Sequence, residues 1–155
     1  MKRLIAALVL GLAATSAAWG GTDFKPLDRA AARAVADPKA YTQPTVLALW
    51  ASDCVYCKKN LHTLAGLAKT NRQLRIVTVA AEQPSAETRP ALDHTGVPGE
   101  RYAYADDVPE ALAYAIDPHW RGELPRTYLF DGTGGVKAIS GVIDAAGFKA
   151  GLRLK

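Results

Sequence analysis

The sequence predicts an α/β fold, a central mixed β-sheet flanked by helices, in the order β-α-β-α-(β)-α-β-β-α. Three observations carry that prediction. Thr45–Trp50 is a compact apolar run without polar alternation, which suits a strand buried on both faces in a parallel region. The stretch after it places Cys57, Leu61, Leu64, Ala65 and Ala68 on one face at helical spacing. Residues 74–81 form a second strand pattern, and a right-handed crossover lays it beside the first.

The remaining elements follow along the chain. Residues 21–26 read as a loose leader. Residues 27–36 are alanine-rich, with Leu27, Ala31, Ala34 and Val35 on one side, and form a short helix that Asp37-Pro38 ends. Residues 41–44 connect to the first strand. The long helix after that strand runs to about Thr70, with Asn71 as its stop. Residues 85–94 form a helix capped by Ser85, residues 96–99 a turn, and residues 102–105 a short strand. Pro109 stands at a first helical position, with Leu112, Ala115 and Ile116 facing inward, and the helix ends near Asp117-Pro118. Residues 127–131 and 136–143 are strands joined by the turn Gly132-Thr133-Gly134-Gly135. Asp144 caps a last helix carrying Phe148 and Leu152.

Length and composition set bounds. The chain has 155 residues, enough for one domain, with 49% hydrophobic and 22% charged residues, ordinary values for a globular fold. Residues 1–20 read as a secretory signal: Lys2-Arg3 is the charged start, residues 4–14 the apolar core, and Ser16-Ala17-Ala18 a small-residue cleavage site. The apolar core is short for a membrane span, and retention as an uncleaved anchor is the minor alternative. Residues 21–155 are then the folded domain, expected to be a soluble monomer in a bacterial periplasm. The formal net charge is +4. Lys2 and Arg3 supply +2 of it, which leaves about +2 on the domain and argues against nucleic acid as a partner.

The chemistry lies in Cys54-Val55-Tyr56-Cys57, which holds both cysteines at the start of the long helix. Only a thiolate attacks a disulfide, and a helix N-terminus favours negative charge. Cys54 is therefore the expected nucleophile, and Cys57, one turn further in and facing the core, the expected resolving thiol. Lys58 and Lys59 favour the thiolate, while Asp53 disfavours it. Other uses of the pair are weaker. A structural disulfide across two residues removes little chain entropy. Zinc requires a second ligand pair, and haem attachment a histidine where Lys58 stands. No metal and no cofactor is expected. Trp50 is expected to pack under the cysteines, and Tyr56 to be exposed where a partner could touch it. Glu123 is a candidate proton acceptor. His62, His94 and His119 are expected at the surface, and Trp120 in the core.

The pattern Trp50-Ala51-x-x-Cys54-x-x-Cys57 resembles the active-site signature of the thioredoxin superfamily, and the export signal makes it most similar to secreted reductases of the TlpA/ResA type. A second match, the run from Leu124 through Pro125 to Gly132, resembles that family's cis-proline loop and following strand. The resemblance covers roughly residues 41–153. It implies a thioredoxin-like fold with an insertion before the proline strand. It also implies a cis-proline at Pro125 that faces the cysteines and, with the Leu124 backbone, helps bind substrate. The departures are Asp53 where many relatives carry Trp, Ala48 where thioredoxins carry a buried Asp, and Val55-Tyr56 between the cysteines.

The resemblance implies an exported thiol-disulfide oxidoreductase that reduces protein or cytochrome-maturation disulfides, with electrons from a membrane donor. The alternatives are a disulfide oxidant or isomerase, for which the expected extra domains are missing, and a non-catalytic thioredoxin-fold chaperone presenting both thiolates to copper(I).

Overall fold

A computed structural model describes residues 24–154. The signal reading on residues 1–20 lies outside that range, as do residues 21–23. At the centre is β2 (Thr45–Trp50), every residue of which is buried. An extended apolar run of this kind satisfies its backbone on both edges. β2 pairs in parallel with β3 (Arg75–Ala80) and antiparallel with β5 (Arg126–Phe130). The crossover between β2 and β3 is α2 (Val55–Thr70), stopped by Asn71, whose side chain donates to Leu67 O.

The full sheet has six strands in the order β1-β4-β3-β2-β5-β6. β1 is Lys25–Leu27, β4 is Glu100–Tyr104 and β6 is Val136–Ser140. The inserted sequence contributes α3 (Thr88–Asp93) and β4, and β4 is placed between β1 and β3. Helix α4 (Pro109–Ile116) precedes the proline loop, and α5 (Ala145–Leu152) closes the chain. Two cores sit on opposite faces of the sheet. One joins α2, α3 and α5 through Leu61, Leu64, Leu92, Phe148 and Leu152. The other joins α1 (Arg29–Ala36) and α4 through Ala32, Val35, Leu112 and Ile116.

Several boundaries differ from the sequence expectation. Residues 25–27 are an edge strand and not a loose leader, held parallel to β4 and anchored by buried Phe24 and Leu27. Three residues are too few for periodicity to register. Helix α1 starts at Arg29, because Asp28 caps it by accepting from Ala31 N–H at 2.7 Å. Its buried face is Ala32 and Val35, with Ala34 exposed; in an alanine-rich stretch the apolar side is poorly marked. Helix α3 begins at Thr88 rather than Ser85, since residues 85–88 are held in a turn by Ser85 N–H donating to Thr88 Oγ1 at 3.0 Å. β6 ends at Ser140, where Gly141 takes φ +97° and turns the chain away.

Glu100 ties three neighbouring strands together. Its carboxylate meets Lys25 Nζ of β1 at 2.7 Å and the Arg75 guanidinium of β3. Hydrogen bonds from Lys25 and Arg75 hold its carboxyl down at about 2.

Candidate active site

Helix α2 begins at the cysteines. Cys54 is its N-cap residue, in extended conformation, and its sulfur accepts from Cys57 N–H at 3.2 Å. The two residues form a disulfide, with S–S 2.02 Å and Cα atoms 5.3 Å apart. Cys54 is half-buried and Cys57 is 1% exposed. The outer cysteine therefore sits, partly exposed, at the positive end of a 16-residue helix, where orphan N–H groups and the dipole favour a thiolate.

Trp50 is fully buried in the same core as Cys57, so it offers no surface to a partner. Tyr56 is 59% exposed, with Lys59 Nζ over its ring at 5.1 Å. The loop before the cysteines is held from three directions. Cys54 N–H donates to Ala51 O at 3.1 Å, and Ala81 N–H donates to Trp50 O at 2.8 Å. Ser52 N–H donates to Glu82 Oε1 at 3.1 Å, an oxygen that also accepts from the buried Thr88 hydroxyl at 3.1 Å.

Strand β5 brings the proline loop alongside. Leu49 pairs with Arg126, the last pair of the antiparallel ladder, so the ladder ends one residue short of Trp50 on β2 and directly after Pro125. The Leu124–Pro125 peptide is cis. Pro125 is buried and its carbonyl accepts from Gly141 N–H at 2.9 Å, while Leu124 is half-buried. Leu124 packs against the cores on both faces of the sheet, and Cys54 packs against one of them.

Glu123 is bonded within its own loop and to the neighbouring hairpin. Its Oε1 accepts from Ser140 Oγ at 2.6 Å and its Oε2 from Arg121 N–H at 3.2 Å. The Ser140 hydrogen bond holds its carboxyl below the usual range. Arg126 is likewise committed, donating to Asp117 Oδ2 at 2.8 Å and Ser140 Oγ at 2.9 Å. Burial raises the Asp117 carboxyl, but hydrogen bonds from His119 N–H, Arg126 and Tyr128 outweigh it and leave it lowered. Trp120 is buried, with Nε1–H donating to Glu123 O at 2.9 Å. His62, His94 and His119 are exposed.

Two supporting residues escaped the sequence reading. Asn60 is 2% exposed on α2. Its Nδ2 donates to Gly141 O at 3.0 Å and its Oδ1 accepts from Ile143 N–H at 2.9 Å, which ties the active-site helix to the loop behind Pro125. A polar residue beside the apolar stripe of Cys57, Leu61 and Leu64 was the available signal, since buried amides carry partners. Glu82 carried no signal, because its partners Ser52 and Thr88 come from different elements. Among the described residues, no group of three or more His, Cys, Asp or Glu side chains could hold a metal ion, and no helix is long and apolar enough to cross a membrane.

Neither a family model nor a curated protein sequence matches the chain. Solved structures do. A secreted Mycobacterium tuberculosis disulfide oxidoreductase homologous to Escherichia coli DsbE superposes with TM-score 0.59 at 13% identity, over 73% of this chain and 82% of that one. A thioredoxin-family thiol:disulfide interchange protein from Chlorobium tepidum matches with TM-score 0.57 at 19% identity, over 77% and 81%. StoA from Bacillus subtilis matches with TM-score 0.54 at 21% identity, over 72% and 83%. The chain therefore has a thioredoxin-like fold.

Proposed function

We propose that this protein is an exported thiol-disulfide oxidoreductase acting as a reductase on protein disulfides, those of cytochrome maturation among them. The observation that carries the reading is the unequal placement of one disulfide at a helix N-terminus, with Cys54 at the cap and reachable and Cys57 buried one turn on. The solved structures with the same fold include proteins described as disulfide oxidoreductases and thiol:disulfide interchange proteins.

In the reduced form, the Cys54 thiolate attacks one sulfur of a substrate disulfide. The Cys54–substrate disulfide forms as the substrate S–S bond breaks, and the other substrate sulfur leaves as a thiolate. Cys57 then loses its proton and attacks Cys54 Sγ. This closes the Cys54–Cys57 bond and releases the second substrate thiolate. The substrate gains two electrons and the protein loses two, to be restored by a dithiol donor, which we place in the membrane. The secretory reading of residues 1–20 puts this cycle in the periplasm. Leu124 and Pro125 are the segment on which the substrate chain lies, and Tyr56 borders it. Glu82 is a positioning residue that holds the Ser52 N–H and so the loop entering Cys54.

Equilibration of the Cys54–Cys57 pair with dithiothreitol or glutathione tests the reading. A potential near about −270 mV supports a reductase, and one near about −120 mV makes the protein an oxidant. Cys54→Ser abolishes insulin reduction and Cys57→Ser accumulates mixed disulfides. Full activity in Cys54→Ser overturns the assignment.

A further inference from the structure

The proline loop has a second side. Leu124 packs against the core that holds Cys57 on one face of the sheet, and on the other it lines a cavity of about 370 Å³. The walls include Tyr104, Trp120, Ala113 and Tyr114. Tyr104 and Trp120 are buried, and the Trp120 N–H is already committed to Glu123 O, so the indole offers its ring surface and not its donor. Tyr114 is 68% exposed, unusual for so large an apolar side chain. The two charged groups of the lining, Glu110 and Arg121, are of opposite sign.

Exposed apolar residues also border the reactive pair. Val55 and Tyr56 lie between the cysteines, and Val142 follows Gly141, which is bonded to Pro125 and to Asn60. The hollow on the other side of the cysteine loop has a different character. It is lined by Ser52, Asp53, Lys58, Glu87 and His94 together with Pro90 and Ala91, so charged side chains are more numerous there than around the aromatic cavity. Leu124, which packs against the same core as Cys54, thus continues directly into the lining of the aromatic cavity.

We propose that this cavity is a specificity subsite for a bulky apolar side chain, aromatic or long aliphatic, of an extended substrate polypeptide. The side chain belongs to a residue near the substrate cysteine that Cys54 attacks. The inference rests on the oxidoreductase reading above and deepens it. An extended chain advances about 3.3 Å per residue, so a residue two to four positions from the cysteine can cross Leu124 and enter the cavity. The occupant is an unfolded or locally extended segment, because a disulfide inside a folded domain keeps its bulky apolar neighbours buried. A small disulfide such as oxidised glutathione has no group of this kind to offer.

The test uses the pre-reduced full protein and disulfide-linked homodimers of a short peptide with one cysteine. Phe or Gly stands two, three or four residues to either side of that cysteine. Second-order reduction rates are read by stopped flow, with hydroxyethyl disulfide as a small substrate for the parent protein. At one or more positions the Phe peptide is reduced about 10-fold faster than the Gly peptide, the discrimination expected of one apolar side chain in a fitted pocket. Filling the cavity with Ala113→Leu, or removing its wall with Tyr114→Ala, brings that ratio close to one, and Tyr114→Phe restores it. Tyr114 is exposed, so its variants fold even if Ala113→Leu does not. Equal Phe and Gly rates at every position overturn the subsite, as does a ratio unchanged in Tyr114→Ala. If the parent fails to reduce hydroxyethyl disulfide, the oxidoreductase reading itself falls, a result distinct from failure of the subsite.

Discussion

Replacing Asn60 by alanine removes the amide that joins α2 to residues 141–143. Two hydrogen bonds are lost, one from Nδ2 to Gly141 O at 3.0 Å and one from Ile143 N–H to Oδ1 at 2.9 Å. Gly141 is half-buried, so water can replace the donor at its carbonyl and the net loss there is about 1 kcal/mol. Ile143 is buried, and its N–H is left without a partner at a cost of about 1–3 kcal/mol. Together the change costs about 2–4 kcal/mol, a large share of the roughly 5–15 kcal/mol that holds a domain together. Urea unfolding followed by circular dichroism measures it. With a slope of about 2 kcal/mol per molar, the midpoint falls by about 1–2 M. Asn60→Asp keeps the acceptor for Ile143 N–H but sets a carboxylate against the Gly141 carbonyl, so it recovers little. An Asn60→Ala midpoint within about 0.2 M of the parent refutes the reasoning, because it means the two backbone groups find other partners at no cost.

Further expectations concern the supports of the sheet and the proline loop. Asp117→Ala strips a mostly buried Arg126 of its main partner and unties the Tyr128 hydroxyl. Arg126 keeps its bond to Ser140, so the loss sits at or below the lower end of the roughly 3–5 kcal/mol seen on breaking a buried pair. Thermal unfolding measures it, and Asp117→Asn, which keeps an acceptor oxygen, recovers part of it. Glu100 has its carboxyl lowered to about 2 by Lys25 and Arg75. A depressed folded value means that this contribution is complete above the unfolded pKa, near 4.5, and is lost as pH falls toward 2. The carboxylate is about a third exposed, which limits the effect to about 1 kcal/mol. Glu100→Gln is therefore less stable than the parent at pH 7, and the two converge near pH 2. A constant difference across that range contradicts the assignment.

How much was legible depended on how local the cause was. β2 was readable to the residue, since six consecutive apolar or β-branched positions leave only a doubly buried strand. The end of α2 at Asn71 and the Asp144 cap were readable because each side chain bonds the backbone within four residues. β1 was not, because its three residues become a strand only by pairing with β4 some 77 positions later, Lys25 against Tyr102. The start of α3 was misread because Thr88, not Ser85, gathers the turn. At the site, the cysteines announced themselves by spacing and position, while Glu123, chosen for its nearness in sequence to Pro125, proved to be bound to Ser140 across the hairpin.

The sequence by itself determined the strand–cysteine–helix unit, the hairpin and the helix caps, because those follow from periodicity and from hydrogen bonds within a turn or two. Only the tertiary structure decided where the inserted strand β4 lies. It alone set Asn60 against partners 81 and 83 residues away and Glu82 against a residue 30 away. It alone gathered Tyr104, Tyr114, Trp120 and Leu124 around one cavity. Each of these depends on pairs of residues that meet only once the sheet has assembled, and no local pattern encodes which distant partner a buried amide, carboxylate or ring will find.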